Sequence, residues 1–80
     1  MARRSRPSDE TLLEAVVGLA GDGFARSSEV MRRLPSGTHG ERRRAVHHAV
    51  ARGLLIERRG PEGAMHVALV SEGWRTLRSV

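Results

Sequence analysis

A small α+β fold is what the 80-residue sequence predicts: a three-helix core, a two-stranded β-hairpin and a short C-terminal helix. Three observations lead there. Apolar residues recur three and four apart in successive stretches up to Gly53, which is the helical period. Beyond Gly53 they alternate on either side of Gly60-Pro61-Glu62-Gly63, as in a hairpin. A chain this short removes only about 60 to 65% of its unfolded surface from water on folding, so its elements must share a single core.

The elements follow in order. Ser8-Asp9-Glu10-Thr11 places a capping residue and two acids ahead of Leu12, Leu13, Val16, Val17, Leu19 and Ala20, which predicts a first helix that Gly21-Asp22-Gly23 stops. Phe24-Ala25-Arg26 has room for a small edge strand, with Phe24 expected in the core. Ser27 is expected to cap a short second helix carrying Val30, Met31 and Leu34, ended by Pro35-Ser36-Gly37. Thr38-His39-Gly40-Glu41 has capping-box spacing and opens a third helix. Its apolar stripe is Val46, Ala49 and Val50; at about 100° per residue Arg44, His48 and Ala51 point the opposite way, with Arg43 and His47 on one shoulder. Gly53 supplies a left-handed C-cap, after which Leu54 to Arg59 and Met65 to Val70 read as strands about the turn. Ser71 is expected to cap a last helix returning Trp74 and Leu77 to the core, with Val80 as a further candidate. Residues 1–7 read as a disordered basic arm and residues 8–80 as the domain.

Charge is segregated along this frame. The formal charge is +5, from 14 basic and 9 acidic residues. Residues 1–7 contribute +3 and residues 41–59 contribute +4, so the remainder of the chain is net acidic. Clustered cations displace many condensed counterions at once, and two basic segments in an otherwise acidic chain point to a polyanion partner.

The stretch Arg42 to Gly60, followed by Met65 to Leu77, resembles the third helix, wing and C-terminal helix entry of the winged helix-turn-helix in multiple-antibiotic-resistance (MarR-type) and related bacterial transcriptional regulators. The matching residues are Arg52-Gly53-Leu54 at the helix end, Glu57-Arg58 at the end of the strand, and Leu69-Val70-Ser71-Glu72-Gly73 after the wing. The resemblance spans residues 8–80 and implies a sequence-specific double-stranded DNA-binding protein, a small cytoplasmic, nucleoid-associated regulator acting by repression or architectural occupancy. Where that family carries Asp-x-Arg at the wing tip this chain has Pro61-Glu62-Gly63, so wing contacts are expected from Arg58 and Arg59 at its base. The family's long dimer-building helices are missing. A monomer or a weak homodimer through Trp74 and Leu77 is therefore expected, or a partner protein.

A third helix seated in the major groove would read base edges with Arg43, Arg44, His47 and His48, since Arg can donate two hydrogen bonds to guanine. Arg42, near the core edge of the helical wheel, leans toward a phosphate. Thr38 and His39 at the helix start complete the contacting set. Arg58 and Arg59 are expected at the adjacent minor groove or backbone, and Arg3, Arg4 and Arg6 as an arm settling in a minor groove. About five neutralised phosphates would give log K against log salt a slope near −4 to −5. His47 and His48 should gain charge as pH falls, tightening binding at about pH 6 relative to about pH 8.

Other functions find less in the sequence. There is no Cys, hence no disulfide or thiolate zinc site, and neighbouring His47 and His48 diverge on a helix, so no metal or other cofactor is expected. No nucleophile–base set or phosphate loop appears, and the acids sit at helix starts, so an enzyme is not expected. No apolar run reaches the ~18 residues of a membrane span, and no leader pattern opens the chain, which predicts a soluble, unprocessed protein. The alternatives are a winged-helix protein-docking module and a binder of RNA or of unusual nucleic-acid structure.

Overall fold

The computed structural model describes residues 7–60 and 62–79. Four helices and three antiparallel strands occur among them, in the order α1 (Asp9–Ala20), β1 (Ala25–Arg26), α2 (Ser27–Arg33), α3 (His39–Ala51), β2 (Leu55–Arg59), β3 (Met65–Leu69) and α4 (Ser71–Arg78). The α+β class and the element order agree with the sequence pattern, and the brief edge strand is real. Pro61 in the turn and Val80 lie outside the described residues, as do Arg3, Arg4 and Arg6 of the arm.

Local chemistry sets the helix ends. Ser8 caps α1, its Oγ accepting from the Thr11 amide at 3.2 Å, with Asp9 and Glu10 in the first turn. At α3 both halves of the capping box form: the Thr38 amide donates to Glu41 Oε1 at 2.9 Å, and the Glu41 amide to Thr38 Oγ1 at 3.1 Å. The other end of α3 closes as a Schellman motif, in which Gly53 takes φ +80° while its amide and that of Leu54 donate to the carbonyls of Val50 and Ala49. This turn aims the chain from α3 into β2.

Two expected caps are corrected. Ser27 and Ser71 are the first residues of their helices, while Arg26 and Val70 occupy the cap positions without side-chain bonds. The reason is the sheet. Arg26 is still paired with His66 as the last residue of β1, and the Val70 amide donates to the Leu54 carbonyl at 3.3 Å, so each helix starts directly from extended backbone. Ser27 Oγ is left buried without a partner.

The sheet order is β1-β3-β2. Bonds from the Gly60 amide to Ala64 and from the Val70 amide to Leu54 bracket the β2–β3 ladder, in which Leu55 pairs with Leu69 and Arg59 with Met65. Hydrogen-bonded and open pairs alternate, so the backbone groups of Leu55, Glu57 and Arg59 point out of the free edge of β2. Side chains alternate too. Ala25, Leu55, Val67 and Leu69 face the helices and join Leu12, Leu13, Val16 and Val30 in one core, whereas Ile56, Arg58, His66 and Ala68 occupy the opposite face.

Three placements differ from expectation. Phe24 is 37% exposed, because alternation in β1 gives the core position to its neighbour Ala25. In α3 the buried stripe is Ala45, Val46 and Ala49, with Val50 only half-buried, a rotation toward the N-terminal side. Pro7, assigned to the arm, is buried; a Cβ added at Gly37 would lie 3.3 Å from its Cδ. Trp74 and Leu77 pack half-buried against the core. Gly73 is buried where α4 crosses the α3–β2 junction, with the Leu54 carbonyl occupying the space a side chain would need.

Candidate nucleic-acid interface

Burying Ala45, Val46 and Ala49 turns the rest of α3 outward, and His39, Arg43, Arg44, His47 and His48 are all exposed. No carboxylate lies within 4.0 Å of Arg43 or Arg44 among the described residues. Both guanidinium groups are thus outside any ion pair, although Asp9 and Glu41 line the same cleft as Arg44. Thr38 is exposed at the head of the helix, but its hydroxyl and amide are engaged in the capping box.

The crest of α3 parts these side chains into two rows. His39, Arg43 and His47 line an open groove of about 370 Å³ between α3, the start of α2 and the hairpin, which also includes Arg26, Glu57 and Met65. Arg44 and His48 line a polar cleft on the other shoulder, shared with Pro7, Asp9 and Arg52 at the start of α1 and the end of α3. There Asp9 holds Arg52 in an ion pair of 2.7 Å. Pro7 therefore lies beside the Arg44 row.

The structure reassigns some of the expected contacts. Arg42 is half-buried and braces the preceding turn: its Nε donates to the Ser36 carbonyl at 3.1 Å and its Nη1 to the Met31 carbonyl at 3.2 Å. The Arg42 guanidinium ties α3 to the end of α2, in place of the phosphate role expected from its wheel position. Arg58 and Arg59 project from opposite faces of the hairpin, because neighbours in a strand alternate. Arg59 shares the groove-side face with Glu57, and its Nη1 donates to the Gly63 carbonyl at 3.0 Å across the turn. Arg58 instead lies over the Phe24 ring, 4.4 Å from its centroid, away from the groove.

Two groove residues escaped the sequence reading. Arg26 is exposed on the α2 side, where its guanidinium lies 3.8 Å from the Glu62 carboxylate at the hairpin tip. Its position depends on pairing between β1 and β3, which local pattern does not encode. Glu57 places one half-buried carboxylate on the groove wall. Period-two alternation from Leu55 would have found it.

Among the described residues no cluster of three or more His, Cys, Asp or Glu could hold a metal ion, and no helix is long and apolar enough to cross a membrane. Compared with protein-family models, curated proteins and solved structures, the chain matches none.

Proposed function

We propose that the chain is a winged helix-turn-helix protein that binds double-stranded DNA, with α3 in the major groove and the β2–β3 hairpin as its wing. The observation that carries this reading is the outward face of α3, where two unpaired arginines and three histidines stand on a capped helix braced from behind by Arg42. Two rows of basic side chains on one helix suit a groove walled by two phosphate strands. Arg43 and His47 face the wing side, and Arg44 and His48 face the cleft that holds Pro7.

In this arrangement Arg26 and Arg59 hold backbone phosphates beside the wing, while Arg43 and Arg44 reach base edges or phosphates along α3. Glu57 contributes an acceptor suited to the cytosine amino group and disfavours phosphate near it. One protomer covers a single half-site, so useful specificity needs tandem sites, a dimer through the Trp74 face or a partner protein. Occupancy of a promoter by such a small domain amounts to repression or architectural marking in a bacterial cytoplasm.

The test is selection from a randomised duplex library, followed by anisotropy titrations of the winner and a scrambled duplex across a salt series. Four arginines on the two shoulders of α3 and on the hairpin side, Arg26, Arg43, Arg44 and Arg59, give an expected slope of about −3.6, steeper by about 0.9 for every arm arginine that joins. The selected duplex should bind at least about tenfold more tightly than the scrambled one, as base contacts require. Equal affinities would make the protein a nonspecific binder, and binding to neither would end the DNA reading.

A further inference from the structure

The sheet face turned away from the groove carries the two exposed large apolar side chains found among the described residues, Phe24 at 37% and Ile56 at 49% exposure. Ala68, which pairs with Ile56, is buried on this same face and is not part of the main core. Arg58, also on this face, holds its guanidinium over Phe24. Phe24, Arg58, Gly60 and His66 enclose a shallow hollow of about 160 Å³ beside it. No carboxylate lies within 4.0 Å of Arg58 among the described residues.

Stacking on an aromatic face fixes a guanidinium in plane while leaving its N–H edge free, so the geometry that carboxylate recognition needs is already set. Apolar surface beside a preorganised, unpaired cation calls for a ligand with the reverse pattern. We propose that this face docks a short acidic–apolar segment of a partner protein, one carboxylate meeting Arg58 and a neighbouring aliphatic side chain filling the hollow beside Phe24.

A second copy of the chain fits less well. Two large apolar side chains fall short of the roughly 800 Å² per partner of a stable two-fold interface. Because Arg58 and Arg59 point to opposite faces of the hairpin, the segment and a duplex held at α3 can be bound together.

Phage-displayed peptide selection on the intact protein should enrich sequences combining Asp or Glu with Leu, Ile or Phe. A synthetic peptide of the enriched sequence, titrated into isotopically labelled protein, should shift amides at Phe24, Ile56, Arg58 and His66 and leave Arg43 and Arg44 unmoved. Arg58→Gln and Ile56→Thr, both at exposed positions, should keep the protein folded with a melt lowered by no more than a few degrees, and Arg58→Gln should weaken the peptide by about tenfold. Enrichment of basic sequences, no enrichment, or shifts confined to α3 would overturn the proposal. So would a weaker duplex affinity in Arg58→Gln with the peptide unaffected, which would make this face a nucleic-acid contact.

Discussion

Replacing Gly73 by Ala tests whether the α4 crossing is a close-packed joint. A Cβ at this position would be driven into the Leu54 carbonyl oxygen, with Leu69 Cγ at 3.2 Å and the Leu54 carbonyl carbon at 3.3 Å. The blocking atom is backbone, and the same carbonyl accepts the bond from the Val70 amide that starts α4, so relief requires moving the helix. Overpacking of this kind costs about 3 kcal/mol at the upper end of its range. Ala is better than Gly in a helix by about 1 kcal/mol, leaving a net loss of about 2 kcal/mol. For a domain of this size that corresponds to a melting point lower by about 8 to 16 °C. Gly18→Ala is the matched control, because its new Cβ would meet only Arg33 Nη1 at an ordinary 3.6 Å; it should raise stability by about 0.5 to 1 kcal/mol. Thermal and urea unfolding followed by circular dichroism reads both. A Gly73→Ala protein as stable as the parent, beside a stabilised Gly18→Ala, would show that α4 does not sit against Leu54 as described.

Thr38→Ala removes the hydroxyl half of the capping box and should cost about 1 kcal/mol, measured by urea midpoint. Arg42→Ala should lower stability by about 1 kcal/mol while leaving the salt slope of duplex binding unchanged, since its guanidinium bonds are to backbone carbonyls. Arg43→Ala should do the reverse, leaving the melt unmoved and making the slope shallower by about 0.9.

Much of the fold could be read from local pattern because local chemistry decides it. The caps at Ser8 and Thr38, the left-handed turn at Gly53 and the alternation of β2 and β3 each depend on a few adjacent residues. The misreadings cluster where a distant partner chooses. Ser27 and Ser71 look like caps by composition, but sheet pairing carries the chain straight into each helix. Phe24 looks like core by hydrophobicity, yet strand parity assigns the inward position to Ala25. At the candidate interface, helical spacing identified the outward row of α3, because periodicity alone fixes which side chains share a face. It could not say that the Arg42 guanidinium ends at the carbonyls of Ser36 and Met31, nor that Arg58 stacks on Phe24. Those outcomes depend on where a long flexible side chain finds a partner after the helices have packed.

The free border of β2 has a consequence for life in a crowded solution. Unsatisfied amides and carbonyls at a sheet margin are a template on which like chains can polymerise. Here that margin is short, and it is flanked by the charges of Glu57, Arg58 and Arg59, while the opposite margin is a strand of only two residues. A neighbouring molecule stacking in register would have to desolvate those charges to gain a handful of backbone bonds. The charges of Glu57, Arg58 and Arg59 therefore guard this margin against fibrous self-assembly.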